Sequence, residues 1–455
     1  MRGLPARGDK RSRPALLLCA LLYMAGSAVA QSPAEQDAAF IALVAEAVQR
    51  RPDFGTQHAS VGAARGALSE AKADFFPRVQ LLLDSGEDRS VRDGRSSPGT
   101  RRSGDVNPQL GVTQLLYDGG AAWGRVRAAR GRVSAAVHGI DSAANNLSLQ
   151  AVQIYFTVIR QQEALTIALE NLNKIASVRD KVAGRAQEGR DPRSELSRLD
   201  SRVLEAQGQL LDARRNLADA IASYEEFFGS APGVLGVPAS YPQRRPSVEE
   251  AIRVARERNA ELLALRDELE ASTAEVDSQR ASLLWPRLSL EASGTTYDAF
   301  GPSGTDNRDT YVGLRFSYEV FGGGAGLART RAASSRNRAA RFAIQRAELA
   351  LERQLRQAYA AVEAREAQLT AMADRVGRDH SAIDDYEELF LAGRRSLNDL
   401  IVAQRDYFAS ATQLLDVQLD LRVQRFSVAA LTGELGQYFG IEPPPDAAEP
   451  RGDER

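Results

Sequence analysis

The chain has 455 residues, with 58 Lys and Arg against 60 Asp and Glu, three His and a single Cys. A formal net charge of −2 offers no concentrated basic surface of the kind that binds nucleic acid, and one cysteine excludes an internal disulfide. After the N-terminus, no continuous apolar run reaches the roughly 20 residues that a transmembrane helix needs.

Residues 1–30 have the pattern of a secretory signal peptide. Five basic residues precede an apolar run at 15–25, and Ala28-Val29-Ala30 forms a small-residue cleavage site. The alternative of a membrane anchor needs a longer apolar run. We therefore expect export of a mature chain without cysteine, in which the basic and acidic totals fall to 53 and 59.

The remaining sequence contains an internal duplication. Pro77 and Pro286 each precede a segment of alternating polarity, and Asp118-Gly119-Gly120 and Phe321-Gly322-Gly323 each follow one. The separations are 209 and 203 residues, far longer than the roughly 20–50 residues of a solenoid repeat. The predicted joints between strands and helices are Pro77, Gly119, Gly120, Pro286, Gly322 and Gly323.

Turn sequences at 189–196 and 393–400 extend the duplication at a separation of 204 residues. The pattern predicts two structural halves, 31–240 and 241–440, each with a helix, two strands, a long helix and a return helix. A proline-rich, mixed-charge tail at 441–455 is expected to be disordered.

The predicted strands lie at about 78–117 and 287–321. From Val312 to Val320 apolar and polar residues alternate strictly, as in a sheet with one apolar face. Strands of about 9–12 residues can cross a bilayer core, and aromatic residues at their ends, among them Tyr117 and Trp285, fit a membrane-interface girdle. The alternative, an amphipathic sheet on a soluble core, lacks a spare apolar helix to cover it.

Each pair of strands is followed by a predicted helical hairpin, at about 119–229 and 322–436. Apolar residues recur every 3.5 positions from Val133 to Ala186, and no proline occurs between 109 and 191. This seam predicts one helix of about 65–70 residues, about 100 Å long, packed as a coiled coil. Leu355, Tyr359 and Val362 begin the same seam in the second half.

The number of strands predicts self-association. Four strands cannot close a barrel, and an open sheet edge cannot face lipid. Two chains would give eight strands, whose interior is nearly filled by side chains, whereas three would give twelve and leave a lumen. We therefore expect a homotrimer.

In this order, and repeated, these motifs resemble the TolC-like outer-membrane factor family over essentially the whole mature chain. The resemblance implies a mainly α fold with β: long coiled-coil hairpins in a periplasmic α-barrel, and four strands per chain in a trimeric twelve-stranded barrel in outer-membrane lipid. It also implies docking through a periplasmic adaptor protein onto an inner-membrane transporter, either ABC-type or proton-driven.

Within that family, Leu389–Leu400 resembles members that serve type I protein secretion. The alternative is the exit duct of a drug or metal efflux pump. An alternative from another class is a soluble periplasmic coiled-coil scaffold or adaptor, which would explain the export signal and the helices but not the strands.

The resemblance also implies a constriction at the periplasmic tips, ringed by acidic side chains and held by an arginine. By motif alignment Asp399 takes the first acidic position and Arg395 the arginine position, while Val402 replaces the second acid. Glu195 is the equivalent of Asp399 in the first half. A ring of carboxylates favours cations. The alternative is that Asp399 is a solvated carboxylate at a helix start.

No catalytic or cofactor site is predicted. His58, His138 and His380 are isolated and lack metal-ligand spacing, and no P-loop or G-x-S-x-G motif occurs. Glycines at 322–326 follow a strand as in a dinucleotide fingerprint, but that strand alternates in polarity, unlike the buried strands of a parallel α/β sheet. We therefore expect no enzyme, no metal and no cofactor.

Overall fold

The computed structural model describes residues 33–85, 106–189, 192–238, 246–297 and 307–441. The predicted signal peptide at 1–30 lies outside these residues, as does the predicted tail beyond Ile441. Nine helices and four strands are formed by the described residues: α1 Pro33–Arg50, α2 Pro52–Ala73, β1 Arg78–Ser85, β2 Val106–Tyr117, α3 Ala121–Gln187, α4 Arg193–Phe228, α5 Val248–Arg258, α6 Ala260–Leu284, β3 Arg287–Tyr297, β4 Asn307–Ser317, α7 Ala325–Leu391, α8 Leu397–Thr432 and α9 Leu435–Tyr438.

The four strands form one antiparallel sheet in the order β1-β2-β3-β4. One face is apolar across its width, since Val79, Val112, Ala292 and Val312 pair in a single row. The other face is polar: Arg78, Thr113 and Glu291 form a row there, and Arg315 lies 2.6 Å from Glu291. The predicted alternation therefore yields a two-faced sheet whose apolar side chains are largely exposed.

The duplication is confirmed by matched helix lengths. Helices α3 and α7 each have 67 residues, and helices α4 and α8 each have 36. At 1.5 Å per residue the long helices span about 100 Å, as their heptad seam predicts. The return helices are only about half as long, so they cover only the second half of each long helix.

The first half of α3 packs against α2 and α6 instead. Leu68 of α2 is buried against Val126 and Val133, and Gly124 lies so close to α6 that an added Cβ would stand 2.9 Å from the Cα of Ser278. Small residues at this crossing let the two backbones approach closely. The part of the molecule next to the sheet, which we call the upper helical layer, therefore has its helices in the order α2-α3-α6-α7.

The largest apolar core lies midway along α3, where α1, α9 and the C-terminal part of α8 converge. Phe40 of α1 contacts Tyr155 with ring centroids 4.7 Å apart, and it also contacts Phe156, Phe426 and Phe439. This aromatic cluster fixes the level at which the upper helical layer gives way to the two hairpins.

Among the described residues, no helix combines the length and the apolar character needed to cross a membrane.

Candidate functional site at the helical tips

The turn between α7 and α8 is built by a glycine and a capping box. Gly393 has a φ of 71° and ends α7, a conformation that glycine adopts without a Cβ clash. Ser396 is the N-cap of α8: its Oγ accepts a hydrogen bond from the backbone N–H of Asp399, while the Asp399 carboxylate accepts one from the N–H of Ser396.

Asp399 therefore has two structural partners. Besides the cap, its carboxylate lies 3.8 Å from the guanidinium of Arg395, which also stands over the ring of Tyr386 at 5.3 Å. The Asp399 side chain is still 39% exposed, so its charge faces solvent from the tip. Asp399 is thus a solvent-exposed carboxylate at the start of α8, as the alternative interpretation of the sequence holds, and it is also paired with Arg395.

The first-half tip is built differently. Gly189 has a φ of 75°, but Pro192 is the N-cap of α4 and supplies no side-chain hydrogen bond. Glu195 lies in the first turn of α4 and is partly exposed, and within the described part of the chain it forms no ion pair. Val402, in place of a second acid, is 38% exposed. The two tips are thus related in backbone but not in their polar contacts.

Contacts between the two hairpins are the feature that the sequence did not reveal. Arg185, near the end of α3, donates a hydrogen bond of 2.9 Å to the backbone carbonyl of Leu391, and its guanidinium lies 5.3 Å from the ring centre of Phe390. Lys181 forms an ion pair with Glu387 of α7. These contacts join residues about 200 positions apart, which no local pattern indicates.

An apolar cluster beneath these polar links joins the same two hairpins. Val182 and Leu199 of the first hairpin are fully buried against Leu397 and Leu400 of the second. By contrast, Arg179 stays within its own hairpin, where the hydrogen bonds that it donates to Asp200 and Asp180 raise the pKa of its exposed guanidinium. The tips of one protomer thus form one packed unit with a charged surface.

The strand–helix joints are the second predicted set of residues. Pro77 and Pro286 directly precede β1 and β3. Gly119 and Gly120 have φ values of 71° and 88° before α3, and the matching pair before α7 is Gly323 and Gly324, at 63° and 83°. The register inferred from the sequence was wrong by one residue here, because Gly322 lacks the left-handed conformation and corresponds to Asp118.

At the first joint, acidic and basic side chains form a closed cluster. Asp74 lies 2.6 Å from Arg78 and 2.7 Å from Arg125. Asp118 accepts a hydrogen bond of 2.8 Å from the N–H of Ala122, and its carboxylate is 3.4 Å from Arg125. Because both carboxylates are largely buried, this cluster fixes the angle at which β2 continues into α3.

No group of three or more His, Cys, Asp or Glu side chains that could hold a metal ion occurs among the described residues.

Comparison with known proteins gives consistent matches. A family model described as "Outer membrane efflux protein" matches residues 43–229 and 251–434. The chain is 24% identical to the outer membrane efflux protein BepC of Brucella suis, over 92% of this chain and 90% of BepC. It is 23% identical to the alkaline protease secretion protein AprF of Pseudomonas aeruginosa, over 73% of this chain and 69% of AprF.

The fold matches solved structures over most of its length. The crystal structure of the outer membrane protein VceC from Vibrio cholerae superposes with a TM-score of 0.76, covering 88% of this chain and 97% of VceC at 17% identity. The two-part match of the family model spans the strands as well as the hairpins.

Proposed function

The chain belongs to the outer membrane efflux protein family, and from that premise we propose that it forms the exit duct of a tripartite export machine. It is an outer-membrane protein of the TolC-like type with the tunnel fold of that family, which is one of channels rather than enzymes. The alternative of a soluble periplasmic scaffold does not fit this membership. The proposal adds the assembly, the partners and the route.

The main observation that supports the assembly is the open sheet. In the described residues β1 and β4 are its edges, and the apolar row from Val79 to Val312, which is exposed at both ends, suits contact with lipid. Edges in lipid must be paired. Three copies joined β4 to β1 give twelve strands and a lumen that the polar face would line.

The helical layer supports the same assembly. Its outer helices, α2 and α7, have no neighbour on their far sides within the described chain, and a Cβ at Gly62 of α2 would meet open space. At the crossing of α3 with α6, Gly131 lies opposite Ala271. The duplication relates α3 to α7 by 204 residues and α2 to α6 by 209 residues. The equivalent crossing would therefore place Ser335 of α7 opposite Gly62 of α2 in a second copy. Residues of that size would allow the same close approach between subunits.

For the periplasmic opening we propose Asp399, Arg395 and Glu195 as the residues that set its charge and its closure. The half-exposed Asp399 carboxylate supports this role, and the links between hairpins would hold the tips together in the closed duct. The strand–helix joints at Pro77, Gly119, Gly120, Pro286, Gly323 and Gly324 would set the bend between the membrane barrel and the α-barrel.

For the route we propose type I protein secretion. The resemblance of Leu389–Leu400 to members that serve it, and the likeness to AprF, support this choice. Such a duct would bind a periplasmic adaptor and an inner-membrane ABC transporter. The likeness to BepC keeps a drug or metal efflux duct, with a proton-driven or ABC pump, as the second candidate.

One experiment tests the duct and a second tests the route. Detergent-purified protein is reconstituted into a planar bilayer and its oligomer mass is measured; a trimer with discrete conductance is expected, and a non-conducting species of other stoichiometry would overturn the duct. In a host that lacks its own exit duct, restored protein secretion without restored drug resistance would support type I secretion. The reverse result would favour efflux.

A further inference from the structure

The two strand–helix joints occupy equivalent places in the two halves but differ in charge. At the first joint, Asp74 and Asp118 neutralise Arg78 and Arg125, and the side chains of the two acids are only 17% and 10% exposed. At this joint, two guanidinium groups and two carboxylates of the described residues therefore balance in charge.

The second joint keeps both arginines and has lost both acids. When the halves are aligned on Pro77 and Pro286, Arg78 corresponds to Arg287 and Asp74 to Leu283. When they are aligned on the N-caps of α3 and α7, Arg125 corresponds to Arg329 and Asp118 to Gly322. The duplication has thus preserved the cations while an apolar residue and a glycine have replaced the anions.

At the position equivalent to Asp74, the structure also places an apolar side chain where the first half has a carboxylate. The side chain of Leu283 lies against the first turn of α7, where its Cδ1 is 2.6 Å from the position that a Cβ on Gly326 would take. Gly326 is one helical turn before Arg329. A methyl group therefore stands beside the guanidinium-bearing turn, at the place where the first half has a carboxylate.

A cavity of about 500 Å³ lies at this joint, between the ends of α6 and β4 and the starts of β3 and α7. Arg287 and Arg329 line it, both are exposed, and neither forms an ion pair within the described residues. Of the two carboxylates in its wall, Asp118 is engaged by Arg125. The other, Glu319, lies where a side chain on Gly322 would begin, so it partly replaces the missing equivalent of Asp118 and leaves two guanidinium groups facing one carboxylate. Ser317 adds a hydroxyl group, so donors and positive charge predominate.

We propose that this cavity binds an oxyanion, either a phosphate or a carboxylate group on a solute inside the duct. Arginine keeps its charge at all physiological pH values and presents paired N–H donors that match either group. Arg287 and Ser317 lie on the polar face of the sheet with Glu291 and Arg315. The location on the channel wall rests on the proposed function, since that face lines the lumen only in the closed trimer.

Binding is tested on the detergent-purified full chain by titrating inorganic phosphate and following the ³¹P resonance. The wild-type protein is compared with the double variant Arg287→Gln/Arg329→Gln. Arg341→Gln is the matched control, because Arg341 is also exposed on α7 without an ion pair in the described residues but lies outside the cavity. We expect saturable binding that the double variant weakens roughly tenfold or more and the control leaves unchanged.

A second variant, Leu283→Asp, restores the carboxylate that the first half has in this place. It should pair with Arg287 and Arg329 and weaken phosphate binding to a similar extent while removing no arginine. Acetate that displaces phosphate would extend the site to carboxylates, whereas phosphate that resists acetate would restrict it to phosphate; either result supports an oxyanion site.

Unsaturable binding to the wild-type protein, or equal affinity in the wild type and the double variant, would overturn the proposal. The titration needs no membrane potential, so it tests the oxyanion site separately from the duct. A protein that binds phosphate but does not conduct would support the site and contradict the proposed duct. A conducting trimer that binds no phosphate would support the duct and contradict the site.

Discussion

Arg185 donates a hydrogen bond to the backbone carbonyl of Leu391, and this contact ties the end of α3 to the last residue of α7. It joins the first half of the chain to the second at the level of the tips. Lys181 and Glu387 make a parallel link one turn further up. The two hairpins of a protomer therefore separate only if these contacts break.

Arg185→Ala should favour an open duct. Loss of a hydrogen bond from a charged, partly buried donor costs about 1.5–3 kcal/mol, which would raise the open population roughly tenfold or more. Single-channel recordings in planar bilayers would measure this population. Arg179→Ala is the matched control, because Arg179 contacts Asp200 within its own hairpin; an equal rise in both variants would mean that the link between hairpins does not restrain opening.

Asp399→Asn separates the charge of the tip from its capping role. If Asp399 forms an acidic ring, the variant should lower the preference for cations, measured as a shift of the reversal potential in a salt gradient. Ser396→Ala removes the capping hydroxyl and should cost about 1 kcal/mol of helix stability while leaving selectivity unchanged. If Asp399→Asn leaves the reversal potential unchanged, Asp399 acts only in capping α8 and does not contribute to ion selectivity.

Val312→Arg tests which face of the sheet meets lipid. Val312 is 75% exposed on the apolar face near the middle of β4, and an arginine near the bilayer midplane costs about 2–4 kcal/mol. The yield of trimer in purified outer membranes should therefore fall strongly. Gln80→Arg places the same charge on the polar face, opposite Gly111, and should assemble normally. Normal assembly of the Val312 variant would contradict the assignment of this face to lipid.

Gly131→Val tests the close crossing of α3 and α6. A Cβ at Gly131 would stand 3.0 Å from the backbone N of Ala271, so the helices must separate, at a cost of about 1–3 kcal/mol. Thermal unfolding followed by circular dichroism should show a lower midpoint. Gly184→Ala on the same helix meets open space and should raise stability by up to about 1 kcal/mol. A midpoint unchanged by Gly131→Val would show that the crossing can relax.

Periodic features of the sequence predicted most of the fold. The heptad seam and the absence of proline gave α3 its length, because one helix is the only regular structure that keeps apolar residues on one side over so many turns. The alternation from Val312 gave β4 for the same kind of reason. What these patterns did not predict is the partner of each face, and so the packing of α2 and α6 along the first half of α3 was missed.

The candidate site was less predictable. A run of glycines at 322–324 fits the joint in more than one register, and only the backbone φ values distinguish Gly323 and Gly324 from Gly322. The link from Arg185 to Leu391 uses a backbone carbonyl, which every residue has, so no residue type marks it in advance. Asp399 is predicted through the family resemblance of its segment, whereas its reciprocal capping hydrogen bonds with Ser396 follow only from the geometry.

Equal helix lengths in the two halves have a consequence for how such a chain can change. Because α3 matches α7 at 67 residues and α4 matches α8 at 36, the two tips end at one level. A seven-residue insertion in one hairpin would keep its seam in phase yet raise its tip by about 10 Å above the other. A change in the length of the hairpins must therefore occur in all four helices together. The two hairpins thus jointly set the distance that the protein extends from the membrane.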